Sequence, residues 1–425
     1  MSKRIRLATL LLASAAVAAV AAAPGVPQEI QHQASALNVE VPVRVFKGAS
    51  FVDGLTLGDF ELLEDGRPQR IEAFYLIKKT IIERSEEPRD VAPRTARHFY
   101  LVFEIGYYDA RIREALDYFV RTVLLPGDNL TLVTPMKTYR MKGELFDLVG
   151  RDKTYDQVVG LLRRDIEIGY SESREILAEM TDLAQVIASN VRPRDSVSDL
   201  GTATLVEPVM AVPVESPYGA AALEMQLMNY ASLLSRLATL RVVDEKKLLG
   251  FAEHLKNLEG QKGVFFFYQR EMLPKIDQRT VDQLSARYSQ QPQISQSLET
   301  IFGLEKRDVT VNVDIVTKAY ADASAAVHFL HLARPAERPA GIRMEEQTED
   351  VFAPFQEMAR VTGGYSGSTA NIAAAMRAAI EASENYYLLY YTPADYRADG
   401  RFRTITVKVK AEGARVSHRL GYIAD

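Results

Sequence analysis

Between residues 98 and 392, short apolar runs alternate with helical stretches, and this constrains the fold more than any other feature of the chain. The runs "HFYLVFE" (98–104), "LTLV" (130–133), "KGVFFFYQ" (262–269), "AAVHFLHL" (325–332) and "YYLLYYT" (386–392) have strand length and polar boundaries. Helical repeats separate them. Over 109–125, Ile112, Leu116, Phe119, Val120 and Val123 fall on one helical face. Interleaved helices and buried strands predict an α/β fold, with a doubly wound, mostly parallel sheet flanked by helices over residues 97–393. The ligand edge of such a sheet is at the carboxyl ends of its strands.

Both flanks have a period of two instead. Val39, Val41, Val43 and Val45 alternate with Glu40, Pro42 and Arg44, and Pro42 favours an edge strand. Asp65-Gly66 sits between the apolar runs 60–63 and 71–77, a hairpin signal, so residues 37–90 read as a small β-domain. The polar stretch 83–97 reads as its linker. At the other end, Ile405, Val407 and Val409 face away from Thr404, Thr406 and Lys408, and Glu412-Gly413 turns the chain into "RVSHRLGYI". Residues 400–425 are expected to pack with the N-terminal β-domain as a small β-sandwich built from both chain ends. A helical insert is expected at about 168–258, from periodicity in 171–190 and 220–258. Its apolar stripe, Leu223, Tyr230, Leu233, Leu237 and Leu240, reads as core. The Pro-rich connection 191–218 is long enough to imply function or disorder.

The first residues, "MSKRIRLATLLLASAAVAAVAAAPGVPQ", read as a secretory signal over 1–25: a basic start, an apolar run, then small residues. Pro24 disfavours cleavage directly after Ala23, so the cut is expected between Ala22 and Gly25. The chain is therefore expected to be exported, periplasmic or extracellular, with membrane contact only if the leader stays uncleaved. With no Cys in 425 residues, disulfides and a lipid-modified N-terminal Cys are excluded. Losing Lys3, Arg4 and Arg6 takes the net charge from -5 to about -8, which argues against nucleic acid as a partner.

Several longer stretches carry a family resemblance. "VPVRVFKGASFVDGLTLGDFELLEDGRPQRIEAF", "HFYLVFEI", "LLPGDNLTLV", "EGQKGVFFFYQ", "MARVTGGYSG" and "YYLLYYTPADYRADGRFRTITVKVKAEGARVSHRLGYIAD" together resemble bacterial von Willebrand factor A-related proteins of the acidobacterial type. The resemblance spans 37–425 apart from the insert. It implies an exported protein with a von Willebrand A-like fold, a class that mainly binds other macromolecules, often through a metal-ion-dependent adhesion site. Such a site takes an Asp and two hydroxyls from the first loop, a hydroxyl from a later loop and often an Asp after the fourth strand. In their places this chain has Glu104, Gly106 and Tyr108, and after the fourth strand Tyr268, Gln269 and Arg270. Glycine offers no ligand atom, and a neutral phenol is a poor ligand. The adhesion site is therefore expected to be degenerate. No cofactor is expected and a divalent cation such as Mg²⁺ is disfavoured; an unconventional cluster of Glu104, Asp109 and Glu271 is the remaining route to one. The later hydroxyl stays open among Ser171, Ser173 and Thr181.

The candidate binding residues are Glu104, Tyr107, Tyr108, Gln269, Arg270 and Glu271, with Glu104 expected as counter-ion to Arg270. Tyr and Arg are enriched at binding hot spots; alternatively, these tyrosines cover the sheet end and pack against the insert. Signals for catalysis are thin. His328 and His331 of "HFLH" point to opposite faces of a strand and make no metal clamp. "TGGYSGS" (362–368) lacks the Lys and preceding strand of a phosphate loop and reads as a helix C-cap and turn. The expected function is an exported, non-enzymatic module that binds another protein or peptide. A structural subunit of an envelope assembly is the alternative, and a hydrolase with an unrecognised site the third reading.

Overall fold

A computed structural model describes residues 38–48, 50–86, 93–191, 217–240, 243–269, 271–305, 311–333, 342–346 and 349–425. The leader, Arg270 and most of the Pro-rich connection lie outside these residues. The chain from Leu37 to Asp425 is one compact unit, mixed α/β with several sheets.

The N-terminal strands are β1 (Val39–Lys47), β2 (Ser50–Phe51), β3 (Phe60–Glu64), β4 (Arg67–Gln69), β5 (Ala73–Lys78) and β6 (Ile81–Glu86). Asp65 and Gly66 take φ of 47° and 79°, the left-handed pair that a tight two-residue hairpin requires. The hairpin is shorter than expected. Its return strand is β4, and the apolar run after it, β5, belongs to another sheet. Part of the segment read as a linker is β6, which pairs with β5 at Ile77↔Ile82.

The next stretch runs β7 (Arg97–Glu104), α1 (Ile112–Tyr118), β8 (Asn129–Val133), β9 (Thr138–Lys142), α2 (Gly143–Val149), α3 (Arg151–Gly169) and α4 (Ser171–Ser189). After it come α5 (Pro217–Leu240), α6 (Glu245–Lys256), β10 (Gln261–Gln269), β11 (Met272–Ile276), α7 (Gln278–Arg287), α8 (Pro292–Glu305) and α9 (Val313–Asp322). The chain continues through β12 (Ala326–Leu332), β13 (Ile342–Glu346), α10 (Glu349–Val361), β14 (Ser366–Thr369) and α11 (Ile372–Glu384). It ends with β15 (Asn385–Tyr391), β16 (Phe402–Val409), β17 (Arg415–His418) and β18 (Gly421–Ile423).

One six-stranded sheet has the order β14-β12-β10-β7-β8-β9, parallel except for the β8–β9 hairpin. Alternate side chains feed two cores. Phe99, Leu101, Phe103, Phe265, Phe267 and Leu330 pack with Leu116, Leu162 and Met376 from α1, α3 and α11. Tyr100, Val102, Val264, Phe266 and Phe329 pack on the other face with Leu255, Tyr320 and Met358 from α6, α9 and α10. Strands buried on both faces read as unbroken apolar runs, as these do. The Thr362 segment follows α10: Gly363 has φ of 71°, and a Cβ on Gly364 would lie 1.8 Å from Val327 O. Two glycines let the chain turn tightly beneath β12 and enter β14, a strand the sequence reading missed.

The helical insert is larger than 168–258 and carries its own core. Met180, Leu223, Tyr230 and Leu233 of α4 and α5 pack with Leu273, Leu284 and Leu298 of β11, α7 and α8. Among the described residues β11 pairs only with β13, antiparallel, away from the main sheet. β10 interrupts these pieces in sequence, so no continuous periodic stretch joined them.

The two chain ends meet in two sheets, ordered β17-β1-β15-β5-β6 and β18-β16-β3-β4. Val41, Val43, Leu62, Tyr387, Leu389, Ile405 and Val407 share the core between them. The run 386–392 is thus not a strand of the parallel sheet, and the boundary at 393 is corrected. It forms β15, antiparallel to β1 (Val41↔Leu389) and to β5 (Leu388↔Tyr75). Its other side chains, Tyr386, Leu388 and Tyr390, pack with Tyr75 and Ile77 on the opposite face. A strand buried on both faces has the same sequence pattern in either kind of sheet, which is why its placement was misread. β1 lies between β15 and β17, but its ladder with β17 covers only Val43 to Phe46, so Pro42 is paired on one side, with Leu388 of β15. Among the described residues, no helix is long and apolar enough to cross a membrane.

Candidate functional site

At the carboxyl ends of β7 and β10, Glu104 stands beside Tyr268 in register. The chain leaves these adjacent strands towards opposite sides of the sheet order, the place where open α/β sheets form a crevice. Three elements close around it: the loop after β7, the end of β10, and the junction of α3 with α4.

Hydrogen bonds tie them together. Tyr107 N donates to Gln269 Oε1 at 2.9 Å, pinning the loop to β10. Tyr170, between α3 and α4, donates its Oη to Glu104 Oε2 at 2.6 Å. Arg174 in the first turn of α4 donates to Gly106 O at 3.0 Å and to Glu167 O, and its guanidinium lies over the Tyr107 ring at 5.7 Å. Glu104 as a residue is exposed. Crowding at its carboxyl nevertheless pushes its pKa up, against the Tyr170 hydrogen bond. Burial and the neighbouring Glu104 charge push the Tyr170 phenol up strongly.

The structure brings Glu104, Tyr107 and Gln269 together, with Glu271 near enough to act on Tyr170. Arg270 lies outside the described residues, and among the described ones Tyr170 takes the Glu104 carboxylate. Tyr108 departs from the expected rim. It packs against the core beneath α1 and α3, its Oη is buried without a hydrogen-bond partner among the described residues, and burial pushes its phenol up. Tyr107 and Tyr108 therefore do different things. The chain bends at Gly106 and Tyr107, leaving the Tyr107 ring under Arg174 and the Tyr108 ring against the core.

The donor set does not fit a small divalent cation. Hard oxygens must converge on such an ion, yet Gly106 O is engaged by Arg174 and the Tyr108 hydroxyl points into the core. Asp109 is held by Arg111 Nε at 3.0 Å, which keeps its carboxyl below the usual range. Ser171 donates back to Ile168 O at the end of α3, and Thr181 donates to Leu177 O within α4. Among the described residues, no three His, Cys, Asp or Glu form a group that could hold a metal.

Sequence reasoning missed Tyr170 and Arg174. The helical reading began at 171 and left α3 unassigned, and the break at Gly169-Tyr170-Ser171 was the available signal. It also missed Asp165, buried in α3, which accepts from Thr134 Oγ1 and Tyr139 Oη, both at 2.8 Å, and so locks α3 to the end of β8. His328 and His331 do face different partners: His328 Nδ1 accepts from Tyr365 N at 3.1 Å, and His331 Nδ1 is 3.3 Å from Ser368 Oγ. Glu346 lies 3.9 Å from His331 Nε2, beyond hydrogen-bond reach, so Ser368, His331 and Glu346 do not form a hydrogen-bonded relay.

No family model and no curated protein sequence matches the chain. Among solved structures, the crystal structure of the human COPII-coat protein Sec24c is similar at 8% identity, with a TM-score of 0.29. The match covers 78% of this chain and 44% of Sec24c. A likeness of that size carries no argument about fold or function.

Proposed function

We propose that the protein is an exported, non-enzymatic binding module. In this reading its α/β part is a doubly wound, von Willebrand A-like domain with a degenerate adhesion site, and the crevice at Glu104, Tyr107 and Gln269 receives another protein or peptide. The strand order supports it: numbered along the sheet strands alone, β9-β8-β7-β10-β12-β14 is 3-2-1-4-5-6, an order typical of doubly wound sheets. The resemblance of residues 37–425, apart from the helical insert, to von Willebrand factor A-related proteins supports it too. Fold alone names no ligand.

The observation that carries the proposal is the Tyr107 arrangement. Its backbone is fixed by Gln269, and its half-buried ring is stacked beneath Arg174 at the mouth of the crevice. A tyrosine pre-ordered in this way contributes contact area at small entropic cost on binding.

The test is cross-linking of the purified protein to envelope extract, comparing wild type with Tyr107→Ala and Gln269→Ala. Both variants should lose the wild-type adducts while melting within a few degrees of it. Adducts that persist in both would refute a rim-mediated role.

One observation favours the scaffold reading. Tyr218, Met225 and Met228 share a face of α5 and are 80%, 62% and 60% exposed. Light scattering decides it, since a scaffold subunit would assemble alone and lose that assembly in Met225→Lys.

A further inference from the structure

Opposite the rim, at the amino ends of β7, β10 and β12, lies a cavity of about 560 Å³. Its other wall is the face of β1 and β15 turned away from the sandwich core. Phe99, Pro42, Leu258, Tyr386 and Leu388 supply apolar and aromatic surface. Six Lys or Arg side chains line it against four Asp or Glu.

The acids are already engaged. Glu259 pairs with Arg94, Asp322 with Lys256 at 2.8 Å, and Glu40 accepts from Tyr390 Oη at 3.0 Å. Glu384 sits 3.7 Å from Arg97, whose Nε and Nη2 are bonded to Asp128. Arg44, Lys262 and Arg419 are each only 8% exposed, and none forms an ion pair among the described residues. Among the described residues, Arg44 Nε and Arg419 Nε have no hydrogen-bond partner. The remaining contacts are weak for charges so deeply placed: Arg44 stacks on Tyr386 at 5.8 Å, Arg419 Nη1 reaches Asp322 O at 3.4 Å, and Asp322 and Glu40 attract Arg419 and Lys262 only from beyond ion-pair distance, too little to offset their burial. Lys262 donates to Leu258 O at 3.0 Å. Desolvation pushes Lys262 down to about 8 and Arg44 down to about 10.

Burying a cation without a counter-ion is costly, and a bound anion removes that cost. We propose that the cavity binds a small organic carboxylate with an apolar or aromatic body, its carboxylate taken by Arg44, Arg419 and Lys262. The planar guanidinium fork matches a carboxylate, and the volume is in the range of small-molecule sites. The engaged acids around the walls disfavour a polyanion. Tyr386 and Leu388 would cover the ligand body.

The test is thermal melting and calorimetry of the purified protein with succinate, benzoate and phenylacetate, at ionic strength matched with chloride and with inorganic phosphate as the reference anion. At least one carboxylate should give a saturable rise in Tm that chloride does not, with affinity weakened by about tenfold or more in Arg44→Gln and Arg419→Gln. Arg44→Met separates site from fold: it removes an uncompensated buried charge, so it should hold or raise the Tm without probe while losing the response to it. No saturable rise with any of the three carboxylates would overturn the proposal. So would a larger response to phosphate, or a response that survives in both glutamine variants.

Discussion

Arg97 holds Asp128 through both carboxylate oxygens, Nε 2.9 Å from Oδ1 and Nη2 2.6 Å from Oδ2, with 3% and 1% of the two side chains exposed. Asp128 also accepts from Leu125 N at 2.7 Å, so one carboxylate fixes the turn before β8 and joins it to the start of β7. Removing one partner strands the other in the interior. Asp128→Leu should cost about 3–5 kcal/mol in urea unfolding, and the double variant Arg97→Met with Asp128→Leu clearly less than the single variants Arg97→Met and Asp128→Leu combined. Simple additivity would show that the pair is not coupled.

Tyr108→Phe should leave stability unchanged or raise it by about 1 kcal/mol, because it removes a buried hydroxyl that has no partner. Tyr108→Ala should instead destabilise the protein, since the ring packs against the core under α1 and α3. Denaturant midpoints of the two variants check this. A large loss in Tyr108→Phe would mean that the hydroxyl is satisfied in solution.

His328 makes stability depend on pH. Burial, with Arg44 adding to it, pushes the ring from 6.5 down to about 3, and Nδ1 serves as acceptor for Tyr365 N. The unfolded chain takes up a proton near 6.5 that the folded chain refuses until about 3. The contribution is therefore fully present above about 6.5 and is lost as pH falls toward 3. Unfolding free energy measured across that window should rise less steeply with pH in His328→Gln than in wild type. Equal slopes would place the proton uptake elsewhere.

Titration with Mg²⁺, Mn²⁺ and Ca²⁺ against a chelator should leave Tm unmoved, because a ligand of the folded state raises stability only where it binds. The oxygens around Glu104 are engaged by Tyr170 and Arg174 rather than pointed at one centre. A saturable rise that disappears in Glu104→Ala would restore a metal to the crevice.

Period-two alternation placed β1 and β16 readily, because each has one face toward a core and its neighbours differ in polarity. The runs at β7, β10 and β12 were equally plain as strands. β15 was plain as a strand but not as a member of its sheet: burial on both faces erases the alternation that distinguishes one sheet from another. At the crevice, Glu104, Tyr107 and Gln269 follow from knowing where the strands end. Tyr170 and Arg174 do not, because their approach depends on how α3 and α4 return over the sheet edge.

β1 and β5 never touch as partners; β15 fills the space between them and pairs with both. Lys78 is synthesised about 300 residues before its partner Asn385. The first strands made are thus a frame with its centre missing, exposing two unpaired edges until roughly the last tenth of the chain is delivered. Contacts this distant in sequence form slowly, and open edges invite mispairing meanwhile. A nascent chain of this protein therefore depends on its tail to finish its head, and losing the tail would unseat residues near the start before it disturbed the sheet in the middle.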